Sequence, residues 1–206
     1  MGKMKIRPNY QTALHRVGAI ALTLALGCLS NGEPDGKTDD PPVEILWQRL
    51  QALCGQAFPG SAIEVPPGDT TMSGRELIIH LRECSPDEIR IPFQISGDRS
   101  RTWILRRTPD GLELKHQHRH PDGSLDSITN YGGRTLPGAI VGPVTAQFPA
   151  DSETIRLLPE AASNIWTIEV ESGRALAYSM VRQGTSRRFR LEFNLQRPVP
   201  LPPNPW

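Results

Sequence analysis

The amino-acid sequence predicts an all-β domain: a single antiparallel barrel of about eight strands, calycin-like, or a sandwich of the same size. Three observations carry that expectation. Apolar and polar residues alternate over many short runs, Pro-Asp-Gly turns separate some of those runs, and only two stretches show helical spacing. Alternation at period two marks a strand with one buried face, whereas apolar residues three and four apart mark an amphipathic helix. Roughly 150 residues of this pattern suffice to close one core.

Lys3, Lys5, Arg7 and Arg16 lead into an apolar run, residues 17–27, that ends at Cys28. A permanent membrane helix takes about 20 apolar residues. The shorter run is therefore expected to be the core of a secretory signal peptide, residues 1–27. Leu24-Ala25-Leu26-Gly27-Cys28 resembles a bacterial lipobox, in which cleavage exposes a cysteine that receives lipid; Ala25 stands where that pattern prefers Leu, Val or Ile. The alternative is an ordinary signal peptidase, cutting after Ala25-Leu26-Gly27 and releasing a soluble periplasmic or secreted protein. Cysteine arithmetic favours the lipobox. The chain has three cysteines, and lipid on Cys28 leaves Cys54 and Cys84 to pair, with no odd thiol in an oxidising compartment. Leu29 rather than Asp follows Cys28, which by analogy with enterobacterial sorting points to the outer membrane.

Residues 28–42 are rich in Gly, Pro and Asp, with almost nothing to bury, and form a tether reaching about 40 Å when extended. A β-rich domain is expected over residues 43–197. Its first element is a helix: Asp40 can cap, Pro41 can open the first turn, and Val43, Leu46, Trp47, Leu50, Leu53 and Cys54 follow at helical spacing up to Gly55. Strands are expected over residues 57–65, 76–83, 88–95, 101–107, 111–120 and 127–131. Three more follow around Trp166-Ile168-Val170, Leu176-Tyr178-Met180 and Phe189-Leu191-Phe193-Leu195.

The turns Thr108-Pro109-Asp110-Gly111 and His120-Pro121-Asp122-Gly123 make residues 111–120 the middle strand of a meander. Glu171-Ser172-Gly173 and Gln183-Gly184-Thr185 supply two more hairpin turns. Sequential hairpins favour an up-and-down barrel over a sandwich. A second short helix is expected over residues 151–159. Cys54 and Cys84 would staple the first helix to the sheet. Residues 198–206 form a Pro-rich tail of polyproline type, expected to lie along the domain's own surface.

Charge excludes one class of partner. Removing residues 1–27 takes four of the 23 basic side chains and none of the 22 acidic ones, which leaves a net charge of −3. Nucleic-acid binding calls for a basic excess.

Chemistry concentrates in Lys115-His116-Gln117-His118-Arg119-His120. Alternation puts His116, His118 and His120 on the face of Leu112 and Leu114, pointing towards the interior or its mouth. Buried imidazoles need hydrogen-bond partners or a metal. Same-face neighbours on a strand are roughly 7 Å apart, so His116 and His120 lie about 13 to 14 Å apart. Two histidine arms with their metal bonds span about 11 Å. A transition metal could thus take His116 with His118, or His118 with His120, joined by Asp122 or Asp126. His80 falls on the less apolar face of its strand.

Register decides the other possibility. A glycine-bulge turn places Thr102 opposite His118, whereas a two-residue loop places Arg101 opposite His118 and Trp103 opposite His116. In the second case Arg101, His118 and Trp103 suit an anionic or aromatic ligand better than a cation. A catalytic histidine needs a nucleophile or acid beside it. No motif supplies one, and Gly132-Gly133 with Gly142 is no phosphate loop.

Residues 101–124, with Tyr131-Gly132-Gly133, Phe148-Pro149-Ala150-Asp151 and residues 189–193, resemble an uncharacterised group of bacterial secreted proteins and lipoproteins. The resemblance spans most of residues 50–200. It implies a single module with an envelope address and supplies no catalytic residue. Two functional expectations follow. One is an envelope lipoprotein, membrane-bound through Cys28, that binds a small ligand or transition metal near the histidine strand; the other is a structural or interaction lipoprotein without a ligand site. An enzyme using His118 as a base ranks behind both.

Overall fold

The computed structural model describes residues 41–136 and 145–206; the signal segment, Cys28 and nearly all of the tether lie outside the described residues. Helix α1 (Pro42–Gln51) precedes β1 (Ala57–Glu64), β2 (Leu77–His80), the two-residue β3 (Glu83–Cys84), β4 (Glu88–Ile95), β5 (Asp98–Thr108), β6 (Gly111–His118) and β7 (Tyr131–Arg134). After β8 (Thr145–Pro149) come α2 (Ser152–Leu157), a 3-10 turn (Pro159–Ala161), β9 (Asn164–Glu171), β10 (Ala175–Arg182) and β11 (Arg188–Asn194).

Hydrogen-bonded neighbours run β7-β6-β5-β4-β2-β1-β11-β10-β9-β8, with β3 attached to β4 alone. Apart from β3, each strand lies beside its neighbours in sequence, and β1 joins β11 antiparallel. This is an up-and-down barrel of ten strands, not a sandwich. Phe58, Ile79, Ile91, Leu105, Leu114, Phe148, Ile168, Leu191 and Phe193 are among the side chains that fill it, all 0–1 % exposed.

Among the described residues, the ring closes between β7 and β8 through one bridge, Gly133 to Ala150. What completes the seam comes from outside the sheet. The Asp151 N–H donates to the Gly132 carbonyl at 3.1 Å. The Thr154 hydroxyl accepts from the Gly132 N–H at 2.6 Å and donates to its carbonyl at 2.7 Å, satisfying backbone groups that a full strand ladder would otherwise take. Lys115, opposite Gly132 in register, reaches outwards to Asp151 (2.7 Å) and Glu153 (2.6 Å). Burial works to lower the lysine's pKa, but the two carboxylates outweigh it and the net shift is upward.

Helix α1 shuts one end of the barrel. It buries Leu46, Trp47 and Leu50, each of which stabilises by roughly 2 kcal/mol on leaving water. The Arg49 guanidinium donates to the Val170 carbonyl at 3.1 Å, and Arg107 pairs with Glu44. Cys54 and Cys84 form a disulfide across 30 residues. Closing a loop of that length stabilises by about 4 kcal/mol in the chain-entropy account. The tail lies on its own domain: Val199 bridges Ala57, Gln94 donates to the Pro203 carbonyl at 2.8 Å, and Arg99 donates to the Asn204 carbonyl at 2.8 Å.

Several expectations change. The helix starts at Pro42, with Pro41 at the cap position. Residues 127–130 are not a strand, because Asp126 Oδ1 accepts from the Ile128 N–H at 2.9 Å and turns the chain. The strand there begins at Tyr131 and runs through Gly132 and Gly133. Finally, β8 appears where no strand was expected.

Candidate ligand cavity at the histidine strand

The cavity lies at the end of the barrel opposite α1. There β4 turns into β5 through Ser96-Gly97, both at positive φ (45° and 89°), as a tight hairpin requires. Register shifts in β1 (Ala62/Glu64) and β4 (Phe93/Ile95) sit at the same rim, where bulges splay barrel strands.

The β5–β6 loop contains two residues, Pro109-Asp110, with Thr108 paired to Gly111. Gly111 (φ +141°) permits it: a Cβ there would meet Thr135 Oγ1 at 2.2 Å. Arg101 therefore stands opposite His118, and Trp103 opposite His116.

Strand alternation turns Leu112, Leu114, His116 and His118 inwards. His116 is 3 % exposed and stacks on Tyr131, with ring centres 4.6 Å apart. Its Nδ1 lies 3.0 Å from the Tyr131 carbonyl, which can only accept. Nδ1 thus carries the proton, and Nε2 accepts from the Tyr178 hydroxyl at 2.5 Å. Burial above all pushes the imidazole pKa down to about 3, aided by the nearby charges of His118 and Lys115 against the opposing carbonyl bond. His118 is half-buried, with Nε2 3.1 Å from the Tyr131 hydroxyl. Burial and then Arg101 lower its pKa. Burial pushes Tyr131 up to about 12 and Tyr178 well above its usual value.

Around these pairs is a cavity of about 270 Å³. Trp103 and Tyr178 form one wall, with ring centres 4.1 Å apart, and Phe93 lies 5.0 Å from Trp103. Phe189 and Tyr131 extend the aromatic lining, and Arg101 and Arg187 bring positive charge to it. Asp98 pairs with Arg101 and holds its guanidinium in place. The β1–β2 loop covers the cavity with Met72, and also contributes Asp69, whose Oδ2 accepts from the Met72 and Ser73 N–H groups at 2.8 and 3.1 Å.

The expected metal set is not assembled. His120 lies beyond the end of β6 and is exposed, because Arg119 bridges Leu125 and the chain turns away. Asp122 is exposed too, and its Oδ1 accepts from the Ser124 N–H and hydroxyl at 2.9 and 2.6 Å. Both nitrogens of His116 are committed to protein partners. Among the described residues, no group of three or more His, Cys, Asp or Glu side chains is placed to hold an ion. His80 is buried on the outer face of β2, away from the cavity lining.

Of the sequence-derived candidates, Arg101, Trp103, His116 and His118 come together. Tyr131, Tyr178, Phe189 and Arg187 were not singled out. Alternation does turn Tyr178 inwards, but nothing local says that β10 faces β6 across the barrel. No family model, no curated protein and no solved structure matches the chain.

Proposed function

We propose that this protein is a lipid-anchored component of the bacterial cell envelope whose barrel takes a small organic molecule into the cavity beside β6. The cavity carries the ligand reading. A barrel of this size can be filled by its own side chains, yet here they leave about 270 Å³ under an aromatic wall. That lies just below the range of about 300 to 1,000 Å³ found for drug-sized ligands, so the ligand is small. The neutral, hydrogen-bonded histidines and high-pKa tyrosines suit a binding wall better than an acid–base pair, since neither His116 nitrogen is left for a substrate proton.

A screen of single-ring fragments by two-dimensional NMR tests this reading. The expected hits shift the Trp103 indole and the Tyr131 and Tyr178 ring signals. A screen that leaves all three unmoved would instead favour a structural or interaction lipoprotein.

Support for the anchor comes from the cysteines. The Cys54–Cys84 disulfide uses two of the three and leaves Cys28, behind the lipobox-like residues 24–27, as the lipid acceptor. Globomycin, which blocks lipoprotein signal cleavage, should make the precursor accumulate; normal maturation under effective inhibition removes the anchor from the proposal. The outer membrane, with the barrel facing the periplasm, is the destination that Leu29 favours.

A further inference from the structure

Resting on that ligand reading, we propose that the cavity selects a single-ring aromatic carboxylate, its ring against Trp103 and Tyr178 and its carboxylate on Arg101, with Arg187 supplying a second cation at the mouth. The sign of the lining comes first. Arg101 and Arg187 face one lining carboxylate, Asp69, whose Oδ2 already holds two N–H groups of its own loop.

Arg101 is a built anion donor. Its side chain is three-quarters buried, and its bond to Asp98 runs from Nη1 alone. A guanidinium has five N–H donors in a planar fork, so that one bond fixes the plane and leaves the others for a planar carboxylate. Arg187 makes no side-chain ion pair among the described residues and sits on the exposed β10–β11 turn. His116 and His118, neutral and bonded to tyrosines, add polarity without competing charge.

The body of the ligand follows from the walls. Five aromatic rings (Phe93, Trp103, Tyr131, Tyr178 and Phe189) line the space. Tilted and offset arrangements between rings are favoured over plain apolar contact, so a flat aromatic ring is preferred to an acyl chain. The small volume limits it to one ring.

Isothermal titration of the intact, disulfide-bonded protein with benzoate, benzamide, benzylamine and hexanoate tests the proposal. Benzoate should bind about tenfold more tightly than the neutral and cationic ring compounds, and about fivefold more tightly than hexanoate. Arg187→Gln, at an exposed turn, should weaken benzoate about threefold and leave benzamide unchanged. Arg101→Lys keeps the charge beside Asp98 but loses the fork, and should weaken benzoate about tenfold.

Benzamide or benzylamine matching benzoate overturns the carboxylate while leaving the ligand reading intact. Hexanoate matching benzoate overturns the ring. Undiminished benzoate affinity in either arginine variant overturns that residue's role. If none of the four binds although the fragment screen yields hits, only the proposed class falls; if the screen is also empty, both readings fall together.

Discussion

Gly132→Ala is expected to destabilise the barrel by about 4 kcal/mol or more, a large part of the stability of an ordinary domain. Gly132 has φ +157°, and an added Cβ would lie 1.9 Å from the Leu114 carbonyl oxygen, far inside contact distance. The neighbour is backbone of β6 and cannot swing aside. Any retreat of β7 would also break the two Thr154 hydroxyl bonds and the Asp151 N–H bond that finish the seam. Gly133→Ala should behave alike, because its Cβ would lie 1.9 Å from the Pro149 carbonyl oxygen beside the Gly133–Ala150 bridge. Gly173→Ala is the control: it shares positive φ (+65°) but meets nothing within 4 Å, and should cost only about 1 kcal/mol. Urea denaturation of the three variants measures the ranking. A Gly132→Ala protein as stable as the Gly173 variant is incompatible with the packed seam.

Stability should also fall as pH drops from 6.5 towards 3, and His116 should account for much of the loss. Its pKa is 6.5 in an unfolded chain and about 3 in the folded one. Between those values the unfolded state binds the proton and the folded state does not, so stability rises with pH. The full contribution is present above 6.5 and disappears as pH falls through the folded value. One group of this kind changes stability by at most about 1.4 kcal/mol per pH unit, and by about 5 kcal/mol over the whole window.

His118 and His80, lowered mainly by burial, act in the same direction. Asp98 and Asp151, whose ordinary value is 3.8, have folded values lowered by hydrogen bonds to partners such as Arg101 and Lys115 that outweigh their burial. Their contribution is lost at lower pH, so the slope between about pH 6.5 and 5 belongs to the histidines. His116→Gln should flatten that slope while keeping a side chain able to meet both the Tyr131 carbonyl and the Tyr178 hydroxyl. Urea denaturation from pH 7.5 to 4.5 measures the slope, and imidazole nitrogen NMR should show a neutral ring protonated on Nδ1. A His116 ring that titrates near 6.5 in the folded protein contradicts the assignment.

Much of this architecture was legible because period-two alternation is a local signal. Strands β4, β6, β9, β10 and β11 are long enough to show it, and their inward faces match the buried residues. The seam was hidden for the opposite reason. Gly132 and Gly133 have no side chains to alternate, so a strand needed for close approach reads as a loop. The histidine pair was visible on one strand; Tyr131 comes from its neighbour β7, whose glycines hide the pairing, and Tyr178 from β10, whose proximity depends on closure. His120 misled because alternation says nothing about where a strand stops, and an Arg119–Leu125 bridge ends this one.

Pairing of β1 with β11, and of Ala57 with Val199, ties the first strand of the fold to almost the last residues of the chain. Contacts so distant in sequence slow folding, because a long loop must be ordered before they form. A growing polypeptide therefore keeps an unsatisfied β1 edge until residue 193 or so has been added. A truncation in β11 should therefore leave an aggregation-prone open sheet in place of a smaller barrel.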